Sequence, residues 1–171
     1  MKRIAKFYKI SFERFYEDSK KCLGEMTREE CLNAYDKIKL PSRATKGSAG
    51  YDFFIPYRLL LEPKKSIKIP SGIRAEIDAG WVLKLYPRSG LGFKYRMQLD
   101  NTVGIIDSDY YFSDNEGHII IKISNDTLED AIIELPATSG FAQGIFLEYG
   151  ITRDDEADTL RNGGFGSTSK I

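Results

Sequence analysis

Asp107 and Asp109 stand one residue apart in "IDSD", with Ile106 before them and Tyr110 and Tyr111 after. An extended strand puts residues i and i+2 on one face, so this spacing predicts two carboxylates side by side. One of them could hold a water beside an aromatic platform; the pair could also simply open a turn. "YPRSGLGF" places Arg88 and Ser89 between a β-like run and glycine-rich chain, Gly90 included. There a guanidinium and backbone donors can converge on phosphate oxygens, or form an ordinary surface turn. Asp52 in "GSAGYDF" reads as a strand-edge carboxylate, and Gln143 in "GFAQGIF" carries an amide that is costly to bury without partners. The stretch "RNGGFGSTSK" would lose much backbone entropy for little burial if it ordered alone. It reads either as an unstructured end or as a lid, with N–H groups and hydroxyls around an anion, Arg161 supplying charge and Phe165 stacking on a flat ring.

Composition narrows the ligand. Lys plus Arg and Asp plus Glu each number 25 in 171 residues. The chain therefore lacks the basic field that draws proteins onto nucleic acid or anionic lipid, and a small molecule is expected instead. No apolar run exceeds three residues, so neither a membrane span nor a secretory signal is expected and the predicted location is the cytoplasm. Cys22 and Cys31 lack CxxC spacing and read as reduced structural thiols. The single histidine, His118 in "NEGHIII", reads as an exposed polar residue of a hairpin. That leaves carboxylates, hydroxyls, arginines and backbone to do any chemistry.

These residues need a frame. "RIAKFYKI" predicts an opening strand, Ser11 caps a helix over "FERFYEDSKKCL", and Thr27 with Glu30 forms a capping box for "TREECLNAYDKI". Beyond Pro41, short β-branched or aromatic runs alternate with turn residues about every ten positions. This is the pattern of an all-β barrel or jelly roll, with the helical stretch 11–40 as an insertion or decoration. Residues 1–150 then form one domain, and 151–171 an acidic linker, "TRDDEADTL", and a C-terminal arm.

Taken together, "AGYDF", "PRSGLG", "NTVGIIDSDY", "GFAQGIF" and "RNGGFGSTS" resemble, in order, the five motifs of the trimeric dUTPase family. The resemblance runs from about Pro41 to the end. It implies a jelly-roll-like β barrel, a homotrimer with shared active sites, and hydrolysis of dUTP to dUMP and pyrophosphate. Asp107 matches the general base that activates the attacking water. Arg88, Ser89, Gly90 and Gln143 match phosphate contacts, supported by Asp52. Arg161, Gly166, Ser167 and Thr168 match the arm's grip on the phosphates, and Phe165 its ring over the base. Asn101 matches the uracil-reading amide, assisted by backbone near Gly104 and Ile120, and Tyr110 the ring beneath deoxyribose. Mg²⁺ is implied as a cofactor carried by the triphosphate and waters, with no direct protein ligand.

Two departures stand out. Gly140 occupies the place of the family's arginine, and "YYFSDNEGHI" lengthens the hairpin turn. Two other activities fit the same scaffold: a dCTP deaminase and a non-catalytic nucleotide-binding regulator. The "IDSDY" step and the complete arm motif favour the hydrolase.

Overall fold

In a computed structural model, the structure describes residues 2–159. Alternation of apolar and polar residues builds eleven strands among them: β1 (Ala5–Lys9), β2 (Tyr51–Phe54), β3 (Leu59–Leu61), β4 (Ser66–Pro70), β5 (Ile73–Ile77), β6 (Trp81–Pro87), β7 (Met97–Leu99), β8 (Gly104–Ile106), β9 (Ile120–Asn125), β10 (Ile133–Leu135) and β11 (Gly140–Glu148). They pair antiparallel in four small sheets, ordered β2-β11-β6-β8, β4-β9-β7, β1-β5 and β3-β10. The fold is all-β and jelly-roll-like, as expected. Along β9, Ile121, Ile123 and Asn125 turn inward while Lys122 faces out. Phe53, Ile69, Leu83, Ile123, Ile133 and Phe141 form a core shared by the sheets. Among the described residues no helix is long and apolar enough to cross a membrane.

Two helices precede the sheets. Ser11 caps α1 (Phe12–Leu23) by accepting from the Arg14 N–H at 3.2 Å, and α2 (Arg28–Asp36) opens on the Thr27 and Glu30 capping box. Both caps are as the sequence predicts. The helices do more than decorate a β core, however. Phe15 from α1 and Ala34 from α2, with Ile10 and Ile38 at the segment's flanks, are buried in the same core as the sheets, and α1 packs on β4.

The "IDSD" step departs from expectation. β8 stops at Ile106, and Ser108–Phe112 form a 3-10 turn with Asp107 at its N-terminal edge. The Tyr110 N–H donates to the Asp107 carbonyl at 3.2 Å. Asp107 and Asp109 therefore do not share one face of an extended strand. A local turn bond replaces the ladder once β8 loses β6 as its partner beyond Leu83.

His118 is also placed differently from its reading as an exposed hairpin residue: it is fully buried. The lengthened turn folds inward over it, and Gly117 makes this possible. Its φ is +67°, and a Cβ there would lie 2.8 Å from both the Tyr110 carbonyl and the Tyr111 Cα. The Gly72 N–H donates to His118 Nε2 at 2.9 Å, so Nε2 is bare and the proton sits on Nδ1, 2.8 Å from Asp18 Oδ2. Glu116 adds a second tie, accepting from the Ser11 N–H at 2.9 Å and from the Ser11 hydroxyl at 2.6 Å.

Burial holds the His118 imidazole below its ordinary value, with the Asp18 carboxylate opposing only in part. A second proton would have to displace the Gly72 N–H. With the folded-state value depressed, the unfolded chain binds the proton more readily. Stability is then full above about pH 6.5 and declines below it, by at most about 1.4 kcal/mol per pH unit. Urea unfolding between pH 7.5 and 5 should show that decline. His118→Gln, whose Oε1 can accept from Gly72, should flatten it, and since His118 is the sole histidine an unaltered slope would exclude the assignment.

Candidate active site

The turn between β7 and β8 is tight enough to force Thr102 to φ +62°, with its N–H bonded to the Leu99 carbonyl at 2.9 Å and the Val103 N–H to the Asn101 carbonyl at 2.7 Å. Asn101 is thereby presented at the surface beside a cavity of about 450 Å³. Apolar side chains, among them Leu85, Leu99, Ile106 and Ile121, make most of its wall. Gly104 and Ile120 stand in the same wall. Three residues expected to read a base from different parts of the sequence are thus brought together by β8 and β9. Charged residues, Lys68, Asp100 and Lys122 among them, also line the chamber beside the Asn101 amide, and an apolar pocket edged by a few polar groups can take a flat heterocycle and fix its orientation.

Asp107 follows Ile106 directly and is half-buried, its backbone still extended at φ −77° and ψ 158°. Tyr110 is placed otherwise than expected. It is 3 % exposed, its hydroxyl donates to the His118 carbonyl at 2.8 Å and accepts from Asn115 Nδ2 at 2.8 Å, and it does not line the cavity. The ring face expected beneath a sugar is enclosed by the lengthened hairpin turn.

A second cluster forms on the β2-β11-β6 sheet. Gln143 lies across from Asp52 on one side and Tyr86 on the other, and its Nε2 donates to the Pro87 carbonyl at 3.3 Å. Gly50 leaves room for this amide, because a Cβ there would lie 2.7 Å from Gln143 Oε1. Arg88 Nε lies 3.3 Å from Asp52 Oδ1, so the carboxylate expected to support the site is in contact with the guanidinium. Arg88 is followed by a short helix, α3 (Ser89–Tyr95), where the sequence suggests only a turn. Ser89 and Gly90 are exposed in its first turn.

Gly140 explains how the site accommodates its missing arginine. A Cβ at Gly140 would fall 2.6 Å from Arg88 Nη1, so the Arg88 side chain lies directly over the glycine. One guanidinium occupies ground that two would contest.

Arg88 and Ser89 line a cavity of about 390 Å³ that is separate from the Asn101 cavity, although β7 borders both. One copy of the described chain thus carries a base-shaped chamber and an anion-ready cluster on different surfaces. Arg161, Phe165, Gly166, Ser167 and Thr168 lie outside the described residues. Among the described residues no group of three or more His, Cys, Asp or Glu is placed to hold a metal ion.

Sequence reasoning missed one wall of the chamber. Asp18, Lys21 and Cys22 of α1 line it, and their i, i+3, i+4 spacing was visible on one helix face. Nothing local could say that this face meets β4 and the chamber.

A profile of the dUTPase family matches residues 36–169. The deoxyuridine 5'-triphosphate nucleotidohydrolase of Lactococcus lactis subsp. lactis is 40 % identical over 134 residues, covering 77 % of this chain and 88 % of the relative. That of Paraburkholderia phytofirmans is 35 % identical over 147 residues, covering 81 % and 95 %. The crystal structure of dUTPase from Streptococcus mutans is similar with a TM-score of 0.61 at 35 % identity, over 68 % of this chain and 90 % of that one.

Two glycines inside the matched stretch test the geometry. A Cβ at Gly104 would press on Leu85 at 3.0 to 3.3 Å within the core-facing sheet, whereas one at Gly140 meets the tip of a flexible arginine. Gly104→Ala should cost about 1–3 kcal/mol by overpacking, and Gly140→Ala about 1 kcal/mol or less. Denaturant titration of both variants would overturn this placement if the order were reversed.

Proposed function

The chain belongs to the dUTPase family, and from that membership we propose that it hydrolyses dUTP to dUMP and pyrophosphate at sites shared between the subunits of a homotrimer. The single observation that carries the shared-site reading is the separation of the Asn101 chamber from the Arg88 cluster within one chain. A dinucleotide-sized reach is not needed if Arg88 of one subunit meets Asp107 of another.

In this reading uracil enters the apolar chamber. The Asn101 amide and the backbone at Gly104 and Ile120 pair with its polar edge. Cytosine would set a donor against a donor there, a mismatch that a hydrogen-bonding site rejects strongly. Thymine differs by one methyl group, so its exclusion falls to the close backbone approach at Gly104. Asp107 accepts a proton from a water as that water's oxygen bonds to the α-phosphorus. The bond from that phosphorus to the bridging oxygen breaks, its electrons leave with pyrophosphate, and dUMP remains. Arg88, Ser89, Gly90 and Gln143 hold phosphate oxygens, with Asp52 positioning Arg88. Arg161, Gly166, Ser167 and Thr168 are assigned to the distal phosphates and Phe165 to the base.

We assign Mg²⁺ as a cofactor without a direct protein ligand. Carried on the triphosphate and its waters, the ion would offset charge on the phosphate chain. The free thiols Cys22 and Cys31 suit a cytoplasmic location.

Asp107→Asn should lower kcat by at least about 100-fold while nucleotide affinity stays within about tenfold, the mark of a group that acts in the transition state. Mixing Asp107→Asn with Arg88→Ala after mild unfolding and reassembly is the sharper test. If each site takes these residues from two subunits, about a quarter of sites in an equal mixture regain both, and activity should return to about that level. Failure to recover any activity would place both residues in the same subunit's site. Deleting residues 161–171 should reduce kcat/KM by at least about 100-fold with the thermal midpoint unchanged; full activity in the truncated protein would remove the arm from the site.

A further inference from the structure

The assignment of the Asn101 chamber to the pyrimidine is the footing for this inference. The family match begins at residue 36, so α1 lies wholly outside it. Three α1 residues nevertheless stand in the chamber wall with Asn101, Gly104 and Ile120. Asp18, Lys21 and Cys22 share one helix face. That face is fastened to the hairpin turn connecting Asp107 with β9. Asp18, 5 % exposed, bonds His118, Ser11 is held by Glu116, and Arg14 Nη2 donates to the Asp114 carbonyl at 3.1 Å. The helix itself packs on β4, whose Lys68 lines the same wall beside the Ile120 and Ile121 that β9 supplies. Cys22 is half-buried there, while the Lys21 ammonium, on a largely exposed side chain, stands at the rim 3.9 Å from Asp18 Oδ1. Burial, with the Asp18 charge adding to it, raises the Cys22 thiol, so at neutral pH it is an uncharged, compact surface matched to the apolar walls.

We infer that α1 is a wall of the nucleotide chamber and that Cys22 is a specificity-determining residue, setting the steric limit against the bound pyrimidine nucleoside. A larger side chain at this position fills space that the ligand needs. Asp18 and His118 act as positioning residues that keep the thiol in place.

Cys22 reports on its own occupancy. N-ethylmaleimide labelling of the full chain, resolved by peptide mass spectrometry, should modify Cys22 in preference to the fully buried Cys31. Saturating dUMP should slow labelling at Cys22 at least about tenfold, as expected when the site is occupied more than about nine-tenths of the time. An unchanged rate at Cys22, or equal slowing at Cys31, overturns the inference. Cys22→Trp provides an independent readout, with an expected rise in KM of at least about tenfold and a change in kcat of less than about threefold. A folded Cys22→Trp protein that binds dUMP within about twofold of the wild type overturns the inference as well. Wild-type dUTP turnover, measured alongside, separates the two failures. Turnover with unprotected Cys22 removes only the helical wall, whereas absent turnover with protected Cys22 removes the hydrolase reading and leaves the wall.

Discussion

One imidazole joins the two halves of this molecule. His118 uses both ring nitrogens inside the core, one toward Asp18 of α1 and one toward the Gly72 N–H between β4 and β5. An unsatisfied polar atom at such a site would cost about 1–3 kcal/mol, so the three partners specify one another. The consequence reaches the chamber. With Asp18 fixed, the rest of its helix face lies against β4 and the chamber, and with the hairpin turn fixed, Tyr110 is folded in beneath it. The turn inserted between Tyr110 and His118 is therefore what commits the helix to the site, through Glu116 on Ser11 and the Asp114 carbonyl on Arg14.

The opposite surface follows a different rule. Around Arg88 the partners are a half-exposed guanidinium, the Asp52 carboxylate and backbone carbonyls. Pairs of this exposure add little to stability, so their value lies in orientation. Gly140 shows how the orientation is obtained. At the position where the family resemblance implies an arginine, this chain has no side chain, and Arg88 lies across the gap. The charge at the proposed phosphate region would then rest chiefly on a guanidinium that Asp52 holds in place.

How legible this was in the sequence depended on range. Both helix caps were readable because a capping box is complete within four residues. The longer strands β6, β9 and β11 announced themselves by alternation. β7 and β8, three residues each, are too short for any period to emerge and became strands because the longer β9 and β6 paired with them, while β3 and β10, equally short, pair with each other. Asn101, Gly104 and Ile120 were found by motif, and folding brought them to one cavity. His118 escaped because its environment comes from residues 46 and 100 positions away, and a histidine beside a turn carries no mark of burial. The burial of Tyr110 was hidden for the related reason that the seven residues between it and His118 give no local sign that they fold over its ring.

These two surfaces imply a division of labour in the proposed enzyme. The chamber is bounded by core strands and a fastened helix, so its shape is paid for by folding and is present in each chain alone. The proposed phosphate contacts are on more exposed side chains, whose geometry about a ligand would be completed only when another surface approaches. Base selection would then belong to the protomer and bond cleavage to the assembly. A chain dissociated from its partners should keep its preference among pyrimidines while losing turnover, because in this reading the interactions that discriminate the ring and those that stabilise the transition state belong to two separate cavities of one chain.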